Sequence, residues 1–385
     1  MKIKFYTLFL LTIGSLGLNA QTITDSFVFA TINREYIIHI PASYNANTAV
    51  PLLISLHGLG DNMANFSGAG FHALSESENF IVVTPQALNF SYLGFAIGTS
   101  WNSGVGAIVS VLSTPIYPNE DINDVGFISA LIDSISLMYT IDADRIYATG
   151  FSMGGFMTNR LGVELNDRIA AIASVSGTLG DNVGRSNACP IPAMHIHGTG
   201  DATVNYYADY TSSGGLYVIA GDSVSGLMNF WNGVNQTSTA VLHNPNYTTV
   251  SGLTVEEFIW DNGQDSSLTR HLKVNGGDHV WNVPLYPNEI WNFLSVHKNQ
   301  EACVISALNN NNSSEHLAIY PNPSYDRIHV TADSKIQEVK LFNALGEEVL
   351  KSNEVDLDIS GLSSGIYSIL IQTQESLLKS KIIKK

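Results

Sequence analysis

The chain has 385 residues, 45% of them hydrophobic, a net charge of −16 and two cysteines. That is long for one domain, short for three, and enough to bury a sizeable core. The acidic excess lies almost wholly before residue 316, which argues against nucleic acid or anionic lipid as a partner.

Taken in chain order, the first 20 residues stand apart. Lys2 and Lys4 precede an apolar stretch from Phe5 to Leu18, and Leu18-Asn19-Ala20 offers a cleavage site before Gln21. This is the pattern of a secretory signal at residues 1–20, too short for an anchor and followed by polar sequence. No later stretch reads as a bilayer span, so the expected protein is secreted, by way of the periplasm, without stable membrane insertion. Phe27 to Ile32 and Glu35 to Ile40 read as a paired entry hairpin. Strands are expected at Pro51 to Leu56 and Phe80 to Thr84, with a helix from Met63 to Ser77 between them. A helix over Asp121 to Tyr139 follows from apolar residues at Val125, Ile128, Leu131, Ile132 and Ile135. Strands at Arg145 to Thr149, Ile169 to Ser174, Ala193 to His197 and Thr269 to Val274 come next. Helices over Gly154 to Leu165, Ser223 to Trp231 and Pro287 to His297 accompany them. Strands separated by helical segments predict an α/β fold, a mostly parallel sheet with helices on both faces. This region runs from 21 to 308. The loops between Ala202 and Gln264 have no periodicity that places them.

Asn309 to Ser314 contains no apolar residue, so residues 309–316 read as a linker. Residues 317–385 hold short alternating stretches at Ile328 to Thr331, Glu338 to Phe342, Glu348 to Lys351, Gly365 to Gln372 and Leu377 to Ile383. They predict a small β-sandwich of about seven strands or fewer, with no catalytic constellation. Cys189 and Cys303 have no metal-type spacing. In an oxidising compartment they are expected to form one disulfide, the alternative being two buried thiols.

Gly150-Phe151-Ser152-Met153-Gly154 lies between an expected strand and an expected helix, the context of a nucleophile elbow. A corner this tight has no room for a Cβ two residues either side of the serine. The amide of Met153, at the start of the helix, would face a developing oxyanion. A serine hydroxyl needs an imidazole to take its proton, and the imidazole needs a carboxylate to fix its tautomer. On this fold the chain order is serine, acid, histidine. Strand Ala193 to His197 ends in Gly198-Thr199-Gly200-Asp201, and strand Thr269 to Val274 ends in Asn275-Gly276-Gly277-Asp278-His279. Both put a chemical group where open α/β sheets build sites. Asp201 is read as the acid, with Asp278 the competitor, and His279 as the base ahead of His195, His197, His243 and His271. His197 is read as a structural neighbour of the acid. The loop His57-Gly58-Leu59-Gly60-Asp61 supplies Leu59 as the second oxyanion donor, with His57 bracing it. Trp101 and Trp281 are candidates to line a substrate cleft, core packing being their alternative role. No organic cofactor or metal is suggested.

Several blocks together resemble the polyhydroxybutyrate depolymerase/feruloyl esterase group of α/β-hydrolases. They are His57-Gly58, Pro85-Gln86 with Trp101-Asn102, Asp124-Val125-Gly126-Phe127 with Leu131-Ile132-Asp133, the elbow with Gly155, His197 to Asp201, and Gly276 to Trp281. The resemblance covers about Ile38 to Leu294. It implies hydrolysis of carboxylic esters, polymeric ones included, through Ser152, Asp201 and His279. Asp278 departs from the group, which commonly has a third glycine there. The tail resembles the type IX secretion sorting domain, on Tyr320-Pro321-Asn322-Pro323, Leu341 to Gly346, Gly361 to Ile369 and the basic end from Lys379. That resemblance implies an address read by the type IX secretion machinery. Acyl transfer to water does not separate esters from amides, so a secreted serine peptidase is an alternative. A non-catalytic binding protein on the same fold is another.

Overall fold

The computed structural model describes residues 20–109, 115–208, 210–213, 217–299, 317–332, 334–343, 348–373 and 377–385. The expected signal, apart from Ala20, and the expected linker lie outside the described residues. The chain divides into two compact units, Met1–Cys303 and Val304–Lys385, each taken by itself.

The first unit begins with β1 (Gln21–Phe29), β2 (Ile32–Ile40), β3 (Val50–Leu56), α1 (Met63–Phe66), α2 (Phe71–Glu78) and β4 (Ile81–Pro85). It continues with β5 (Leu88–Tyr92), β6 (Phe95–Ser100), β7 (Gly106–Val109), α3 (Asp124–Met138), β8 (Ile141–Phe151), α4 (Met153–Glu164), β9 (Ala171–Val175) and β10 (Ala193–Gly198). Then come β11 (Tyr210–Ser213), β12 (Tyr217–Ala220), α5 (Val224–Asn235), β13 (Leu242–Val250), β14 (Leu253–Trp260), β15 (Thr269–Val274) and α6 (Leu285–Leu294). Ten strands form one sheet in the order β1-β2-β4-β3-β8-β9-β10-β15-β14-β13. From β4 across to β15 neighbours pair parallel, and an antiparallel hairpin closes each edge.

Successive side chains of a strand leave on opposite faces, and here both faces are covered. On β3, Leu52, Ile54 and Leu56 join Phe127, Leu131, Leu161 and Trp231 from α3, α4 and α5. Leu53 between them joins Phe71, Ile290 and Leu294 from α2 and α6. Truncating one such residue to alanine costs about 2–5 kcal/mol in comparable cores, so the strand ends are carried on a rigid platform.

The entry hairpin turns at Ala30-Thr31, inside the strand expected over Phe27 to Ile32, and Asn33 and Arg34 belong to β2. Further parts also differ from expectation. The helix expected over 63–77 is two, α1 and α2, because Gly70 sits at φ +98, outside anything a helix tolerates. Residues 242–260 form the β13–β14 hairpin that widens the sheet beyond β15. Its outer strand is mostly exposed, so it lacks the apolar alternation that marks a strand in sequence.

The second unit comprises β16 (Leu317–Tyr320), β17 (Arg327–Ala332), β18 (Ile336–Phe342), β19 (Glu348–Ser352), β20 (Asp356–Asp358), β21 (Gly365–Thr373) and β22 (Leu377–Lys384). Sheets β16-β17-β20 and β19-β18-β21-β22 pack on a shared core of Ile328, Val330, Val339, Leu341, Ile369 and Ile371. Two short strands, β16 and β20, join the five expected.

Candidate active site

Strand β8 ends at Phe151 and α4 begins at Met153, leaving Ser152 alone at the corner with φ 56 and ψ −120. A non-glycine residue is strained in this region and is held there only when its surroundings over-determine it. Here they do. The Ser152 amide donates to the Val175 carbonyl of β9 at 2.9 Å, and its own carbonyl accepts the Phe156 amide at 3.0 Å. The flanking glycines are sterically required. A Cβ on Gly154 would lie 2.6 Å from the Leu56 carbonyl carbon and 2.7 Å from the His57 oxygen, and one on Gly150 would lie 2.9 Å from the Leu56 Cβ. Met153, as the first residue of α4, has no intrahelical acceptor for its amide.

Asp201 and His279 come from neighbouring parallel strands, β10 and β15. Their loops are laced together by backbone: Thr199 donates to Val274 O at 2.9 Å, Gly200 to Gly277 O at 2.9 Å, and Gly276 to Thr199 Oγ1 at 2.7 Å. A side chain at Gly198 would prevent this, its Cβ falling 2.9 Å from the Gly277 Cα. The result is a contact of 2.7 Å between His279 Nδ1 and Asp201 Oδ2. Asp278, the competing acid, is exposed. Asp201 Oδ1 accepts from the Thr203 and Val204 amides at 2.9 and 2.8 Å, and His197 Nε2 lies 3.3 Å from Oδ2. Burial pushes this carboxyl up, but hydrogen bonds from His197, His279 and the Val204 amide outweigh it and hold the group well below the usual carboxylate range. A carboxylate can only accept, so His279 carries its proton on Nδ1 and turns a lone pair outward on Nε2.

The loop after β3 is fixed from behind. His57 is fully buried; its Nδ1 donates to Gly58 O at 2.8 Å, and its Nε2 accepts from the Ala87 amide at 3.1 Å. Burial lowers the pKa of this imidazole. His57 therefore braces the loop. Leu59, at the loop's tip, is 47% exposed.

The tryptophans require correction. Trp101 is fully buried and absent from the cavity wall; its Nε1 donates to His57 O at 2.9 Å, so it supports the loop from the core. Trp281 also stands behind the wall, its Nε1 bonded to Ala69 O at 2.9 Å and its ring edge-on to Phe151. Cys189 is disulfide-bonded, and Cys303 lies outside the described residues.

Ser152, Met153, Leu59 and His279 all line one cavity of about 880 Å³. Its wall is mainly apolar, with Phe90, Tyr92, Phe95, Ile97, Val105 and Ile116 prominent. Much of it is the β5–β6 hairpin, which sequence reasoning missed. The signal was present: Leu88, Phe90 and Tyr92 alternate ahead of Leu93-Gly94, which turns the chain with φ 50 and 82 as a two-residue hairpin requires. The hairpin docks on the Leu59 loop through Gly60, whose amide donates to Thr99 O at 2.9 Å. Among the described residues no cluster of three or more His, Cys, Asp or Glu has metal-holding geometry, and no helix is long and apolar enough to cross a membrane.

Residues 42–221 match the phospholipase/carboxylesterase family and residues 318–385 the secretion system C-terminal sorting domain. The chain is 29% identical over 262 residues to the bifunctional acetylxylan esterase/xylanase XynS20E of Neocallimastix patriciarum, covering 67% of this chain and 33% of that one. It is 29% identical over 178 residues to feruloyl esterase B of Piromyces equi, covering 45% and 30%. Poly(3-hydroxyalkanoate) depolymerase C of Paucimonas lemoignei is 27% identical over 173 residues, covering 44% and 37%. The chain thus spans about a third of the length of these relatives. In fold it resembles an acetyl xylan esterase from Aspergillus awamori, with a TM-score of 0.51 at 17% identity, covering 72% of this chain and 98% of that one.

Proposed function

We propose that this chain, an α/β-hydrolase of the phospholipase/carboxylesterase kind joined to a secretion system C-terminal sorting domain, is a secreted serine carboxylic ester hydrolase. In this reading residues 1–20 are its export signal, residues 309–316 its linker, and the tail is its address to the type IX machinery at the cell surface. The observation that carries the reading is the 2.7 Å contact of His279 Nδ1 with Asp201 Oδ2, with His279 and the strained Ser152 on one cavity wall.

In the proposed cycle His279 Nε2 takes the Ser152 proton as Oγ attacks the ester carbonyl carbon. The carbonyl oxygen becomes an oxyanion facing the Met153 and Leu59 amides, each donor typically worth about 3 kcal/mol. The tetrahedral adduct collapses, its C–O bond breaks, and His279 returns the proton to the leaving alkoxide. Water then attacks the acyl-serine by the same route in reverse. Asp201 stays ionised throughout, fixing the tautomer and stabilising the imidazolium.

Relatives and cavity together support plant-wall feruloyl or acetyl esters, or polyhydroxyalkanoate, as the substrate class. A largely apolar space of about 880 Å³ favours a bulky uncharged acyl group over acetyl alone. Ser152→Ala is expected to abolish turnover of a short p-nitrophenyl ester with the fold intact. Retained activity in a pure sample would refute the assignment, and faster cleavage of a matched amide than of the ester would favour a peptidase. A panel of feruloyl ester, acetylated xylan and polyhydroxybutyrate selects among substrates.

A further inference from the structure

Behind Asp201 stands a row of buried side chains to which the hydrolytic cycle gives no part. His195 and His197 lie two residues apart on β10, both fully buried, and His271 on β15 is in register beside His195. Their contacts fix where the protons go. His197 Nε2 lies 2.9 Å from Val204 O and 3.3 Å from Asp201 Oδ2, two atoms that can only accept, so this nitrogen is a donor. In a neutral ring Nδ1 must then accept, and the group facing it at 2.9 Å is His195 Nε2, which donates. His195 Nδ1 in turn accepts from the Ser174 hydroxyl at 2.7 Å. Burial favours the neutral form of the two neighbouring rings, holding His195 well below its ordinary pKa and His271 at about 3. His271 flanks the row, its Nδ1 donating to His195 O at 3.0 Å and its Nε2 accepting from Tyr206 at 2.7 Å.

The donors of the row thus run one way, from Ser174 through His195 and His197 to Val204 O, with Asp201 Oδ2 lying 3.3 Å from the same His197 Nε2. His197 also grips the loop that carries the acid, through Val204 O, while the Val204 amide holds Asp201 Oδ1. We propose that His197, backed by His195 and Ser174, is a positioning residue that fixes the orientation of Asp201 and takes up part of its charge, so tuning the basicity of His279. The proposal rests on Asp201 acting as the acid of the triad.

The titratable groups facing Asp201 and His197 are His279 on the cavity side, His195 on the same strand, Tyr206 in the following loop, His271 on β15 and Tyr286 on α6. Lys273 and Glu256 lie beyond His271. Losing the His197 donor leaves more negative charge on Asp201, so the acid limb of the kcat/KM profile moves to higher pH. The test uses the full chain and a soluble p-nitrophenyl ester, with kcat, KM, the pH profile of kcat/KM and thermal melting measured together. His197→Leu is expected to lower kcat on the order of tenfold, with KM within twofold, and to raise the acid limb by about half a pH unit. His197→Gln, which keeps an N–H near the Nε2 position, is expected to recover most of both. If His197→Leu does not fold, Ser174→Ala removes the far end of the row and should raise the limb by a smaller amount. An acid limb unmoved in every folded variant, whatever the loss of melting temperature, overturns the proposal. Ser152→Ala separates the two ideas: activity surviving there sinks the triad, whereas a dead Ser152→Ala beside an unmoved limb sinks only the row.

Discussion

Asp201→Asn is the substitution in which the structure predicts both a mechanism of failure and its size. Asp201 Oδ1 accepts two backbone amides, from Thr203 and Val204. An asparagine must keep its amide oxygen there, because its NH₂ group cannot accept. The NH₂ then occupies the Oδ2 position, 2.7 Å from His279 Nδ1 and 3.3 Å from His197 Nε2, both of which donate in the native site. His279 can satisfy the contact only by switching tautomer, accepting on Nδ1 and carrying its proton on Nε2. In the proposed cycle Nε2 is the atom that takes the Ser152 proton, so an Nε2 already protonated leaves the hydroxyl without its proposed base. A wrong tautomer in a serine triad costs about ten-thousandfold in kcat, roughly 5 kcal/mol of transition-state stabilisation. Initial rates on a soluble ester at pH 7, with a melting curve to establish folding, measure it. A folded Asp201→Asn within tenfold of wild type would refute the tautomer argument. Asp278→Asn is the matched control and should stay within about twofold, its carboxylate being exposed.

Three further outcomes follow from the same geometry. Gly154→Ala should abolish activity and cost on the order of 3 kcal/mol or more, because its Cβ must push either α4 or the end of β3 aside; a near-wild-type melting temperature would contradict the packing. Phe95→Ala removes an exposed aromatic from the cavity wall, so KM for a bulky aromatic ester should rise several-fold while that for an acetyl ester stays within twofold; equal effects on both would deny the hairpin a part in selectivity. Stability should fall on acidification below about pH 6.5, because burial lowers His72 and His297 to about 4 and His271 to about 3. The unfolded chain binds those protons near pH 6.5 and the folded chain does not, so each group favours unfolding progressively as pH drops toward its folded value. Melting temperatures between pH 7.5 and 4.5 check the sign, and a flat or rising profile on acidification would contradict it.

The strands that position the site were legible because the cause of each is local. β15 was expected at Thr269 to Val274 and occupies those residues: Leu272 and Val274 alternate with polar neighbours directly ahead of the turn formers Asn275-Gly276-Gly277. The glycines of the elbow and of the two laced loops could be read from sequence for a related reason: backbone approaching backbone leaves one residue type possible, and Gly154 and Gly198 stand at such approaches. Side-chain roles in the wall were harder. Trp101 sits in the right sequence block yet points into the core, because the nearest acceptor for its indole is the His57 carbonyl and not the cavity. The β5–β6 hairpin carries exposed Leu93 and Phe95, and its hydrophobicity resembles that of a core strand until the partner loop at Gly60 is known.

The histidine row is a stronger case of the same limit. His195 and His197 look unremarkable on a buried strand, where a satisfied core histidine is the ordinary reading. What gives them a direction is Val204 O, seven residues beyond His197, brought back by the turn that Asp201 itself anchors through Thr203 and Val204. One carboxylate thus organises the loop whose carbonyl orients the histidine that in turn faces the carboxylate. Such a closed circuit is satisfied all at once or not at all, since an unpaired member would be a buried polar group costing about 1–3 kcal/mol. A circuit of this kind resists piecemeal change: a substitution at His197 disturbs Val204, and through Val204 the backbone amide on which Asp201 Oδ1 depends. The position of the acid is therefore set by its own surroundings, and His279 meets a carboxylate whose geometry is already decided.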